Sequence, residues 1–143
     1  EMNAIIAHCT RYHGEREILI IEDNAHGLFG RYHERYLGTF GALATQSFHE
    51  TKNIISGEGG MLVINDEQFI ERAEIIREKG TNRSKFFRGE VDKYGWVDVG
   101  SSFLPSDIIA AFLWAQLEHL EDIQNKRKSF KLVFFVKLIV SIH

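Results

Sequence analysis

Ile18-Leu19-Ile20-Ile21-Glu22-Asp23-Asn24-Ala25-His26-Gly27 is the stretch on which the fold turns. Four consecutive apolar residues that stop at two acids predict a short strand buried on both faces of a parallel sheet. Glu22 and Asp23 then stand at its C-terminal edge, where ligands bind in open α/β sheets. Upstream, Met2, Ile5, Ile6, Cys9 and Tyr12 recur at three- and four-residue spacings, which predicts an amphipathic helix over residues 2–13, ended by Gly14. A helix leading into a buried strand is the beginning of an α/β layer.

Downstream, Gly27, Gly30, Gly38 and Gly41 punctuate a loop without helical period. Strands are predicted over 42–48 and 61–64. They are joined by a polar excursion containing His49-Glu50-Thr51-Lys52-Asn53 and Gly57-Glu58-Gly59-Gly60. A loop held between rigid strands is a common place for chemistry. Residues 65–79 predict the clearest helix: Asn65 and Gln68 at capping-box spacing, Phe69, Ile70, Ala73 and Ile76 as its apolar stripe, Gly80 as its C′ residue. Residues 81–103 have no clean period. Pro105 suits the first turn of a long helix carried by Ile108, Ile109, Phe112, Ala115, Leu120 and Ile123 toward Asn125. Residues 132–140 are rich in β-formers and nearly uncharged, the pattern of an edge strand or of sequence foreign to what precedes it; the second reading is preferred. The whole reads as one incomplete α/β domain.

Composition narrows the classes of function. The 143 residues are 44% apolar and 26% charged with a net charge of −3, so no global basic field invites nucleic acid. The single cysteine, Cys9, excludes an intramolecular disulfide and is expected in the core. No apolar run approaches the roughly 18 residues that cross a bilayer, and no signal-peptide pattern opens the sequence. A cytoplasmic protein without membrane or nucleic-acid partners is expected. Seven histidines occur without a His-Glu-x-x-His or a cysteine pair, so no metal is expected. The Gly57–Gly60 run lacks the ending of a P-loop, and no Gly-x-Ser-x-Gly elbow is present.

Four residues stand where chemistry is expected. An acid such as Asp23 beside a heteroaromatic nitrogen keeps that nitrogen protonated by charge pairing, and His26 can stack on the same ring. A lysine such as Lys52, held in a partly desolvated loop, can act as a neutral amine and condense with a carbonyl. Ser47 offers a hydroxyl to a phosphate. Arg83, Lys85 and Arg88 flank Phe86-Phe87, a pattern that suits RNA or a sugar-nucleotide diphosphate. Glu90, Asp92 and the acidic net charge favour the second.

In this order and spacing, the 20–27 run, Leu37-Gly38-Thr39, Ser47-Phe48-His49-Glu50-Thr51-Lys52-Asn53 and Gly57–Gly60 resemble the DegT/DnrJ/StrS sugar aminotransferases. The 77–89 segment, Val91-Asp92-Lys93-Tyr94, Trp96, Gly100-Ser101-Ser102 and Pro105-Ser106-Asp107 are similar to the subgroup that makes dTDP-4-amino-4,6-dideoxygalactose. The resemblance covers residues 1–128. It implies a fragment of the large domain of the aspartate-aminotransferase-like (type I) pyridoxal-phosphate fold. Lys52 is implied as the lysine that carries pyridoxal 5'-phosphate and moves the proton. Asp23, His26 and Ser47 are implied as cofactor contacts, with His49, Arg83 and Arg88 toward substrate. Glutamate is the implied amino donor, a dTDP-4-keto-6-deoxyhexose the acceptor, and the full-length enzyme a homodimer. The family's N-terminal part and C-terminal small domain are missing. Residues 129–143 depart from the family as a truncated or frame-shifted reading frame would. Many relatives have an asparagine near Ser102, where a neighbouring subunit reaches the cofactor; Ser102 belongs to the narrower subgroup's pattern. An inactive fragment or binding module, and a related sugar dehydratase with histidine in the lysine's place, are the competing readings; the presence of Lys52 counts against the dehydratase.

Overall fold

The computed structural model describes residues 2–11 and 18–140, with side-chain burial at 4–8 and 18–130. Tyr12 and Gly14 lie outside the described residues, as does the burial of Cys9. Helix α1 spans Met2–Arg11. Strand β1 (Ile21–Asp23) pairs in parallel with β4 (Leu43–Ser47), which pairs antiparallel with β5 (Gly60–Ile64). Between β1 and β4 lies a small hairpin, β2 (Arg31–Tyr32) with β3 (Arg35–Tyr36). A 3₁₀ turn, Glu67–Phe69, leads into α2 (Ile70–Arg77), followed by α3 (Arg83–Phe87), α4 (Asp107–Glu118) and α5 (Leu120–Val140). The fold is α/β, with β4 at the centre of the sheet.

The first strand forms later than its apolar run suggested, and it is not buried on both faces. Glu22 and Asp23 lie inside β1, where alternation sends them to opposite sides. Glu22 is buried, whereas Ile21 is 63% exposed. The register Asp23↔Thr45↔Leu62 continues the exposed face across the sheet. A strand is buried on both faces only when layers cover both, and among the described residues the face of Ile21 and Leu62 stays open. Ala44 and Gln46 of β4 turn to the closed face with Glu22.

The closed face is built around a carboxylate. Glu22 Oε2 accepts the Gly38 N–H at 2.8 Å, and Oε1 accepts those of Phe40 at 2.6 Å and Gly41 at 2.8 Å. Gly38 has φ +89, the left-handed region open to glycine at low cost, and this lets its N–H turn inward. Asn65 completes the clamp by donating to the carbonyls of Gly38 at 3.0 Å and Gly41 at 2.9 Å. Asn65 is therefore not the helix cap its spacing suggested. Asp66 takes that role, its Oδ1 accepting the Gln68 N–H at 3.1 Å.

The C-terminal side shows three further differences. Both Lys79 (φ 63) and Gly80 (φ 77) are left-handed after α2, and a Cβ on Gly80 would lie 1.9 Å from the Asp98 carbonyl oxygen. Glycine is needed there for close backbone approach, beyond simple helix termination. Pro105 precedes α4 rather than entering it. Ser106 is the N-cap, and the single long helix predicted toward Asn125 breaks at His119. Residues 132–140 belong to α5 and form no edge strand. β-propensity yields to the helix already running into them.

Removing the Glu22 carboxylate strands three inward-facing N–H groups, so Glu22→Ala is expected to destabilise the chain by about 3–5 kcal/mol. Urea unfolding measures this. Glu22→Gln keeps an acceptor but turns an amide donor toward another donor, and should fall between the two.

Candidate active site

The open end of the sheet carries the residues singled out by their chemistry. After β1, the Asn24 N–H donates to the Thr45 carbonyl at 3.0 Å, and the Asn24 side chain donates to the Leu37 carbonyl at 3.0 Å. The chain then turns, with Gly27 N–H on the Asn24 carbonyl at 3.0 Å, and His26 is carried over the end of β4 toward the next loop. Asp23 Oδ1 accepts the Ala25 N–H at 3.2 Å and the Thr45 hydroxyl at 3.5 Å. Its Oδ2 has no hydrogen-bond partner among the described residues.

The β4–β5 excursion folds tightly. Glu50 N–H reaches the Gly57 carbonyl at 3.1 Å, Ser56 N–H the Phe48 carbonyl at 2.7 Å, and Lys52 N–H the His49 carbonyl at 2.9 Å. Ile54, fully buried, anchors the loop two residues beyond Lys52. On this frame Lys52 Nζ comes within 2.8 Å of His26 Nε2, across 26 residues of sequence. Asn53 donates to the carbonyls of His26 at 3.3 Å and Leu28 at 3.4 Å, so the two loops are joined at backbone and side chain alike. Ser47, at the end of β4, accepts the His49 N–H at 3.3 Å through its hydroxyl oxygen and keeps its own hydrogen to donate. His49 Nδ1 is 3.0 Å from the Thr51 hydroxyl, and its Nε2 is 3.8 Å from Glu58.

The structure therefore joins His26 directly to Lys52, and places Asp23 and Ser47 on the same face of adjoining strands. Arg83 and Arg88 lie elsewhere, in the segment after α2. Arg83 lines a cavity of about 740 Å³ with Arg77, Lys79, Lys93, Tyr94 and Trp96. Arg88 does not line it: the guanidinium is shared between Glu74, at 2.8 and 3.0 Å, and Glu90, at 2.6 Å. Thr45, Asn53 and Arg127 were not anticipated. Thr45 was legible, being two residues before Ser47 on one strand face. Arg127 of α5 bonds the Lys52 carbonyl at 3.3 Å and Asn53 Oδ1 at 3.1 Å, and nothing in its sequence surroundings signals this.

Three groups with unfilled bonding capacity thus share one end of the sheet: a primary amine, a carboxylate and a hydroxyl. That donor set fits a cofactor with an aldehyde, a basic ring nitrogen and a phosphate. The model of the DegT/DnrJ/EryC1/StrS aminotransferase family matches residues 1–136. The chain belongs to this family. Pyridoxal phosphate is the cofactor of these enzymes. GDP-perosamine synthase of Escherichia coli O157:H7 is 31% identical over 131 residues, 90% of this chain and 34% of the relative. Helicobacter pylori PseC, an aminotransferase involved in the biosynthesis of pseudoaminic acid, superposes with a TM-score of 0.70 at 25% identity, covering 83% of this chain and 30% of that one. A Streptococcus pneumoniae protein solved in its PLP form gives a TM-score of 0.64 at 25% identity over 78% of this chain and 28% of that one. The chain spans about a third of the length of the curated relatives it matches. Its sheet and helices are part of the fold these sugar aminotransferases share. Among the described residues no helix is long and apolar enough to cross a membrane, and no cluster of three metal-ligating side chains forms.

The Arg88 hydrogen bond holds the Glu90 carboxyl below the ordinary carboxylate range, and the hydrogen bonds of Glu90 and Glu74 raise Arg88 in return. A carboxylate lowered on folding stabilises above its unfolded pKa of about 4.3, and the contribution disappears as pH falls through the lower folded value. In Arg88→Ala the Glu90 midpoint, followed by NMR, should return upward to the ordinary range. The stability difference between variant and unaltered chain should shrink as the solution is acidified.

Proposed function

We propose that Lys52 carries pyridoxal phosphate, and that this chain is part of an aminotransferase acting on a nucleotide-linked sugar in the cytoplasm. Glutamate is the amino donor. The acceptor is the 4-keto carbon of a dTDP-4-keto-6-deoxyhexose, giving dTDP-4-amino-4,6-dideoxygalactose. The observation that carries this reading is the 2.8 Å approach of Lys52 Nζ to His26 above the sheet end that bears Asp23.

Pyridoxal phosphate, when bound, supplies an electron sink for the carbanion left when the donor loses its α-proton. The residues of the chain do the rest. Lys52 Nζ is the amine that would hold the cofactor by condensing with its aldehyde, with loss of water, and as a free amine it would be the base placed to move the donor's α-proton. Asp23, whose Oδ2 has no partner among the described residues, would pair with the ring nitrogen and keep it protonated. His26 packs beside the ring and limits the positions open to Lys52 Nζ. Ser47 donates its hydroxyl hydrogen to the phosphate, and His49 contacts the substrate. Arg83 meets the sugar-nucleotide diphosphate. The cavity's four basic residues, Arg77, Lys79, Arg83 and Lys93, outnumber its two acids, Glu78 and Asp92, which supports that assignment, and Tyr94 and Trp96 add aromatic surface for a base. Arg88 belongs to the same proposal and would exchange one of its two carboxylate partners for phosphate. A homodimer completes it.

Incubation with pyridoxal phosphate, reduction with borohydride and peptide mapping test the assignment. The label is expected on the peptide containing Lys52 and is expected to vanish in Lys52→Ala. Labelling confined to another lysine, or no stable label at all, contradicts it. A burst of amine transfer from glutamate, lost in Asp23→Ala by about two or more orders of magnitude, is the corresponding activity test.

A further inference from the structure

We infer that Arg127 is a positioning residue for Lys52, acting through Asn53 as a clamp that fixes the lysine loop against the His26 loop. The inference rests on the reading of Lys52 as the cofactor lysine, and concerns what holds that amine in place.

A lysine side chain has four rotatable carbon–carbon bonds, and its amine is useful only when its backbone is fixed. The loop around Lys52 has three backbone ties of its own, Lys52 to His49, Glu50 to Gly57 and Ser56 to Phe48. None fixes the Lys52 carbonyl. Arg127, 75 residues away on α5, does so: Nη1 donates to the Lys52 carbonyl at 3.3 Å, while Nη2 donates to Asn53 Oδ1 at 3.1 Å. The planar guanidinium suits this double contact because its two donors point in parallel. Filling Oδ1 of Asn53 also decides how that amide faces. Its nitrogen is turned toward the carbonyls of His26 and Leu28, which it bonds at 3.3 and 3.4 Å. One guanidinium therefore sets the carbonyl of Lys52 directly and the backbone of His26 at one remove. The product of both is the 2.8 Å contact between Lys52 Nζ and His26 Nε2.

Arg127 is exposed and makes no contact of its own with the amine. Its removal should leave the fold standing while loosening the aim of Lys52. The test measures the rate of borohydride-trapped pyridoxal phosphate incorporation at Lys52, with thermal unfolding curves alongside. Arg127→Ala is expected to slow trapping at Lys52 by about 10–100-fold, with an unchanged unfolding curve. Arg127→Lys keeps one donor for the Lys52 carbonyl and should restore part of the rate, a rescue that a merely bulky or stabilising role would not give. Asn53→Asp keeps the acceptor for Arg127 but loses the donors to His26 and Leu28, and should slow trapping on its own. In the Arg127→Ala/Asn53→Ala double variant the losses should fall short of the product of the single effects, because both remove one clamp. Should Arg127→Ala unfold the chain, Arg127→Lys and Asn53→Asp carry the decision. Trapping at Lys52 at the unaltered rate in the folded variants overturns the inference while leaving Lys52 as the cofactor lysine. A label elsewhere in the unaltered chain overturns the reading of Lys52 itself.

Discussion

The carboxylate of Glu22 accepts three main-chain N–H groups from one loop, and the geometry of the candidate site follows from that bond set. Three inward-facing N–H groups need an acceptor, because unpaired donors away from water are costly. Glu22 provides it only if its side chain points into the closed face. Alternation along β1 then sends Asp23 to the opposite face. A slip of one residue would exchange them: the loop would lose its acceptor and the open face would lose its acid. The two adjacent acids are thus a structural residue and a candidate chemical residue, told apart by the pleat alone.

From this constraint the remaining parts follow in sequence. The loop between β1 and β4 is pinned at Gly38, Phe40 and Gly41 by Glu22, at Gly38 and Gly41 by Asn65, and at His26 and Leu28 by Asn53. Three polar side chains thereby hold an irregular segment in the shape that a helix or strand would give through its own backbone bonds. His26 is presented to Lys52 because its carrier loop is fixed, and Lys52 is presented to His26 because Ile54 buries the loop that follows it. Among the described residues, Ala44, Phe48 and Ile54 are the buried apolar members of the core.

The sequence was informative where function is written in side-chain types and spacing. Asp23, His26, Ser47 and Lys52 occur in an order that marks their family, and the β4–β5 excursion was placed correctly between its strands. It was silent where a side chain serves main-chain groups. Glu22 looked like a second edge carboxylate, and Asn65 like a helix cap, because carbonyl and N–H partners have no letter of their own. Arg127 was invisible because its two partners, the Lys52 carbonyl and the Asn53 side chain, lie 75 and 74 positions away. Strand limits failed by a few residues because apolar runs record burial, whereas the ladder records pairing. Residues 132–140 show local β-preference losing to a helix already under way.

The central claim, that Lys52 holds the cofactor with Asp23 on its ring nitrogen, is tested most directly by a crystal structure of the chain grown with pyridoxal phosphate. Continuous density from Lys52 Nζ to the cofactor, with an Asp23 carboxylate oxygen at hydrogen-bond distance from the ring nitrogen, is the predicted result. Density joined to a different lysine, or a cofactor ring lying away from Asp23, would contradict the account.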